Sequence, residues 1–168
     1  MAKTRLHNYS VQEKLNKMDT DVITVTLVST TNACATNEVI FQGEELENIV
    51  SVKGGACVIQ SIGLLDDDDN GEPIDLVFFD SNVELDDSND GTTIDAADGT
   101  IPDSILGVVN LTNYFDGVNW QYGHKENIGL TLKAASDTKS VWVAGVNRGS
   151  SATWTASGLR IKVGVIKD

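Results

Sequence analysis

From Val22 onward the chain alternates apolar and polar residues, the period that puts every second side chain on one face of a strand. In "VITVTLV", Ile23, Val25 and Leu27 fall on one side, with Thr24 and Thr26 on the other. "NIGLTLK" gives Ile128, Leu130 and Leu132 a common face, and "LRIKVGVI" opposes Leu159, Ile161, Val163 and Val165 to Arg160, Lys162 and Gly164. Two further runs, "SVWVAGV" and "CVIQSIGLL", are apolar at consecutive positions, as in strands covered on both faces at a sheet centre or an interface. Turn-rich stretches such as "TTNACATN", "SNDGTT" and "NRGSS" separate the runs. About eight strands with almost no helix predict an all-β fold, a β-sandwich, for which a jelly roll is one fitting arrangement. The helical exception is "DGTIPDSIL". There Thr100 and Asp103 are spaced as a capping box and Pro102 is tolerated in a first turn, so at most one short helix is expected.

The start of the chain does not share this pattern. Lys3, Arg5, Lys14 and Lys17 stand against Glu13 alone, and Leu6, Tyr9, Val11 and Leu15 fit neither a strand nor a clean helix. Residues 1–20 therefore read as an N-terminal arm and 21–168 as the sandwich domain. Such arms order on a neighbour. Lys3 and Arg5 are the expected charged contacts, and Leu6, Tyr9 and Leu15 the expected apolar anchors.

A chain of 168 residues suits one domain and buries roughly 70% of its unfolded surface, enough to fold without staples. Cys34 and Cys57 are expected to be free and reduced, with Cys57 a small buried hydrophobe. No run approaches the ~20 apolar residues of a membrane helix. The first residues also lack the apolar centre of a secretory signal, so synthesis in the cytoplasm and no membrane partner are expected. The net charge of −13 is unevenly spread. Residues 54–124 hold 15 acids and no lysine or arginine, whereas residues 125–168 hold 3 acids and 7 bases. That distribution argues against nucleic acid, which requires a dense basic surface. It suits either solubility alone or unlike-charged faces meeting between copies or on a scaffold.

The acidic run "GLLDDDDNGEPIDLVFFD" is the first candidate for chemistry. Asp66, Asp68, Asn70 and Gly71 match the opening of a calcium loop, but position 12, which needs a bidentate glutamate, is Val77. Asp86, Ser88, Asp90 and Gly91 fail in the same way, with Ala97 at position 12. The better reading is an acidic hairpin loop over residues 66–73, solvated or facing a cationic partner, with calcium on other ligands left open. His7 and His124 are the only histidines, and His124 reads as a loop residue rather than a base. No nucleophile elbow, phosphate loop or dinucleotide fingerprint occurs, and His and Cys are too few for zinc. No catalytic residue, metal ligand or cofactor is therefore assigned. Trp120 and Tyr122 fall on one side of a short "VNWQY" strand, where they would stack on a sugar ring or anchor a core or subunit contact. The apolar runs "SVWVAGV" and "LVFF" exceed what a thin sandwich needs. They suggest a contact surface at Phe79 and Trp142 beside Asp66, Asp67, Asp68 and Asp69, and with it a homotrimer.

The phrases "LVFFDSNV", "NIGLTLKAAS" and "TASGLRIKVG", within "GACVIQSIGLLDDDDNGEPIDLVFFDSNV" and the carboxy-terminal half, resemble tailed-phage virion proteins of the marine and cyanobacterial type. The likeness covers most of residues 22–168; the four aspartates and the arm depart from it. It implies a non-enzymatic β-sandwich present in many copies, and within that group a capsid decoration or cement protein. The partners implied are the major capsid protein of the same phage and further copies of the chain. The implied location is the virion, after synthesis in the host bacterial cytoplasm. A neck, tail or baseplate protein and a carbohydrate-binding host-recognition module stay open as alternatives.

Overall fold

Alternation becomes burial most plainly in the last strand, where Leu159, Ile161, Val163 and Val165 are buried while Arg160 and Lys162 between them are exposed. The computed structural model describes residues 19–86, 94 and 101–167, so residues 1–18 of the expected arm lie outside the described residues, while Asp19 and Thr20 belong to the first strand rather than to the arm. The strands are β1 (Asp19–Thr26), β2 (Ala33–Cys34), β3 (Val39–Leu46), β4 (Ala56–Asp66), β5 (Ile74–Phe79) and β6 (Ile105–Leu111). They continue with β7 (Tyr114–Asp116), β8 (Gln121–Lys133), β9 (Val141–Asn147), β10 (Ala152–Thr153) and β11 (Leu159–Lys167). One short helix, α1 (Ile101–Ser104), leads directly into β6.

Two antiparallel sheets face each other, in the orders β1-β11-β4-β8-β7 and β3-β9-β5-β6, with β10 and β2 paired as a small ribbon. Between successive long strands only the β5–β6 connection stays within a sheet; every other one crosses to the opposite sheet. Interleaved Greek keys of this kind define a jelly roll. The main core lies between the sheets and includes Leu27, Phe41, Ile59, Leu64, Phe78, Val143, Trp154 and Ile161.

The two doubly apolar runs have different physical origins. "CVIQSIGLL" forms β4, whose register against both neighbours shifts between Ile59 and Ser61. On one side of this bulge Cys57 and Ile59 point inward; on the other it is Ile62 and Leu64, so the alternation changes phase within one strand. "SVWVAGV" forms β9, between β3 and β5, and is covered on both faces. Val141 and Val143 join the main core, whereas Ala144, Val146 and half-buried Trp142 join a second cluster with Val39, Val77, Phe79, Leu85 and Ile101. This second core is the outer face of the four-stranded sheet, covered by Val83, Leu85, Ile94 and Ile101 from between β5 and β6. Gln42 fastens that cover, since its Oε1 accepts from the Leu85 and Asp86 amides at 2.7 and 3.1 Å. Its Nε2 donates to the Asp86 carbonyl at 2.8 Å.

The surface expected at Phe79 and Trp142 is not a free contact surface. Phe79 is fully buried and Trp142 packs against the same cluster, both beneath residues of their own chain. Their apolar area is satisfied in cis, so it offers no argument for a trimer.

Candidate functional site

The acidic run sits where β4 ends, and it is not a hairpin, because β4 and β5 belong to opposite sheets. The β4–β5 connection spans the gap at one end of the sandwich. Asp66, the last residue of β4, has an inward-facing position and is 1% exposed. Its carboxylate accepts from the backbone N–H groups of Asp68 at 3.0 Å, Asn70 at 3.1 Å and Gly71 at 3.0 Å. The loop can curl around it because Asp69 and Gly71 take φ values of 60° and 62°, a left-handed conformation that Asp tolerates and Gly favours. Burial raises the Asp66 pKa, opposed by the Gly71 and Asp68 amides and the Trp154 indole.

Each remaining acid of the connection ties down another segment. Asp67 pairs with Arg160 of β11 at 2.7 Å. Asp68 accepts from the Thr155 amide at 2.8 Å and hydroxyl at 3.1 Å. Gln121 at the start of β8 donates to Asp69 at 3.1 Å and to Asp116 at 2.9 Å. Glu72 accepts from the Ser150 amide at 2.9 Å and hydroxyl at 2.6 Å. The cluster is thus a fastening in which the carboxylates meet protein donors. Among the described residues no group of three or more His, Cys, Asp or Glu side chains is arranged to hold a metal ion. Of the expected charged surface, Asp67 and Asp69 are exposed, Asp68 is half-buried and Asp66 is inaccessible. Of the second aspartate-rich candidate, Asp86 is buried beside Gln42, while Ser88, Asp90, Gly91 and Ala97 lie outside the described residues.

Both cysteines are free and buried. The Cys34 thiol is pushed up to about 11, first by burial and then by Glu38 and Asp86, which keeps it protonated and unreactive at neutral pH.

A different surface has the character of a binding site: the outer face of the five-stranded sheet. Register pairs Arg160 with Leu65 and Leu65 with Tyr122, then Lys162 with Gly63 and Gly63 with His124. These side chains share one face, and Phe115 of β7, opposite Tyr122, extends it. A cavity of about 300 Å³ lies here, lined by Thr24, Leu65, Phe115, Trp120, Tyr122, Arg160 and Lys162. It continues into a second hollow of about 240 Å³ that shares Tyr122 and Lys162 and runs past Ser61, Gly63, His124 and Gly164.

Small residues make the groove. A Cβ on Gly63 would lie 2.0 Å from the Tyr122 hydroxyl, so only glycine lets that ring lie across the strand. A Cβ on Gly117 would lie 2.4 Å from the Trp120 indole, which therefore rests on the β7–β8 turn. Trp120 remains 39% exposed and Phe115 62%, with ring centroids 5.8 Å apart and planes inclined at 33°. Tyr122 stacks on His124 at 6.3 Å and 12°.

Trp120 and Tyr122 thus share a site, as their spacing suggests, but Trp120 precedes β8 and belongs to the turn. His124 lies on β8 rather than in a loop. The partners that the sequence reading missed are Phe115, Thr24, Arg160 and Lys162. The outward phase of "LRIKV" marks the last two as surface residues. Only the pairing of β11 with β4 and of β4 with β8 brings them beside the aromatics.

No family model matches the chain, and no curated protein matches it.

Proposed function

We propose that this chain is a non-enzymatic structural protein of a tailed-phage particle, a decoration or cement protein bound to the outside of the capsid. The observation that carries the reading is how the acidic end of the jelly roll is used. Its carboxylates are tied to Arg160, Thr155, Gln121, Ser150 and the loop's own amides, giving a stiff, internally fastened body. A body of this kind contributes area and rigidity when attached to a shell, and repeated weak contacts sum to firm attachment. The sequence likeness to virion proteins supports the same role, and the basic arm supplies a segment able to reach an acidic neighbour. Copies at three-fold positions would form a closed trimer, a proposal that now rests on shell symmetry rather than on apolar excess.

Reconstruction of the intact particle tests this reading. Density for the chain over the capsid surface, in numbers comparable with the capsid subunits, is the expected result. Particles lacking the chain should also release their genome at lower temperature than complete ones. A few copies confined to the neck, tail or baseplate would instead make it a component of that structure.

A further inference from the structure

We propose that the groove on the outer face of the five-stranded sheet binds a carboxylate-bearing sugar, with a ring stacked on Trp120 and its carboxylate on Lys162. This inference is independent of the particle role, since a protein at any site on a virion, or on none, could carry such a groove.

The ligand class follows from what converges there. A pyranose has an apolar C–H face and a rim of hydroxyls, so it needs an exposed aromatic plane flanked by polar groups. Trp120 and Phe115 present two inclined planes to solvent, and glycine beneath the indole fixes how it lies. The polar rim comes from the side chains of Thr24, Tyr122, Arg160 and Lys162 around the same cavity. At about 300 Å³ the cavity sits at the low end of small-molecule sites, suited to a short saccharide.

Charge selects the acidic sugar. The chain carries −13, yet the cavity beside Trp120 is lined by two cations, and Lys125 lines the adjoining hollow. Arg160 is engaged by Asp67, whereas the Lys162 side chain makes no hydrogen bond or ion pair among the described residues. An uncompensated ammonium beside aromatic planes is matched by a ligand carboxylate, which forms a charge-assisted hydrogen bond with it. In the adjoining hollow Lys125 stands next to Glu126 and donates to the Asn110 carbonyl at 3.2 Å, which leaves Lys162 as the cation open to a ligand.

The test uses the full chain on a glycan panel of uronate-bearing, sialylated and neutral oligosaccharides, followed by titration of a β-1,4-linked mannuronate trimer and the matching neutral mannotriose. Carboxylated glycans should be retained, and the better ligand of each matched acid–neutral pair should be the acid, by roughly tenfold. Trp120→Ala should abolish retention. Lys162→Glu should reduce affinity for the acidic member at least tenfold while leaving the neutral one nearly unchanged. Both positions are exposed, so unchanged thermal melting should show that each variant is folded. The inference is overturned if no carboxylated glycan binds, if neutral partners bind equally well, or if either variant binds like the parent. Occupation of the groove by an acidic peptide such as oligoglutamate, with no glycan bound, would also overturn it and reassign the face to a protein partner.

Discussion

A carboxylate at the inward-facing end of a strand must either find donors or hold a proton. Asp66 does the first at some cost: three amides satisfy it, yet burial still raises its pKa above the ordinary 3.8. Replacing it with alanine leaves the amides of Asp68, Asn70 and Gly71 without their acceptor. The expected loss is about 2–3 kcal/mol, a fall in Tm of roughly 4–12 °C for a chain of this size. The pH dependence has a definite sign. A raised folded-state pKa means that the native state binds the proton more tightly, so the contribution of Asp66 to stability grows as pH falls through that pKa toward 3.8, and is flat above it. Glu44, also raised by burial, acts in the same direction, whereas Asp21, held down by Lys167, acts in the opposite one. Comparison with Asp66→Asn cancels both. The deficit of that variant in thermal melting should be larger near pH 4 than at pH 7, and an equal deficit at both would show that Asp66 does not titrate as described. The sequence marks these aspartates as a loop. It does not reveal that the first one is turned inward, because the bulge in β4 resets which residues face the core.

The same limit appears at the level of elements. The outward–inward order of β11 could be read directly, since its alternation runs unbroken from Leu159 to Val165. The double coverage of β9 was also legible, but not what supplies it, because the covering β5–β6 connection has no periodic pattern to announce its packing. Close fit between strands provides a test of this core. Gly145 of β9 lies opposite Phe41 of β3, and a Cβ there would come within 2.2 Å of the fully buried ring. Gly145→Ala should therefore cost about 1–3 kcal/mol through overpacking. Adding Phe41→Leu to that variant should recover part of the loss, giving a non-additive double-mutant cycle by chemical denaturation. Strict additivity would mean that the ring moves aside freely.

For the whole molecule, the uneven charge has an internal use that composition alone does not disclose. Arg148 pairs with Asp75 at 2.6 Å and Arg160 with Asp67 at 2.7 Å, joining the base-rich last segment to the acidic middle within one chain. These exposed or half-exposed pairs are worth little individually. Residues 54–124 hold 15 acids and no lysine or arginine, so this part of the chain is strongly negative, while the first 18 residues carry four bases and one acid. Under the capsid-decoration proposal, a basic leading segment suits attachment to an acidic neighbour that an acidic body alone would repel. Folding should not depend on the arm, because β1 begins at Asp19 and its inward residues start at Ile23. Deleting residues 2–18 should accordingly shift Tm by less than about 2 °C, within the effect of ~1 kcal/mol at this size. Under the capsid-decoration proposal, co-sedimentation with particles lacking the protein should weaken sharply for the deletion variant. Its remaining affinity should vary less between low and physiological salt, since the lost contacts are the ones that ions screen. Arg5→Glu in the full chain should reproduce part of the loss, whereas Leu6→Ala should weaken binding without changing its salt dependence. If the truncated chain decorates particles as tightly as the intact one at every salt concentration, attachment belongs to the sandwich alone.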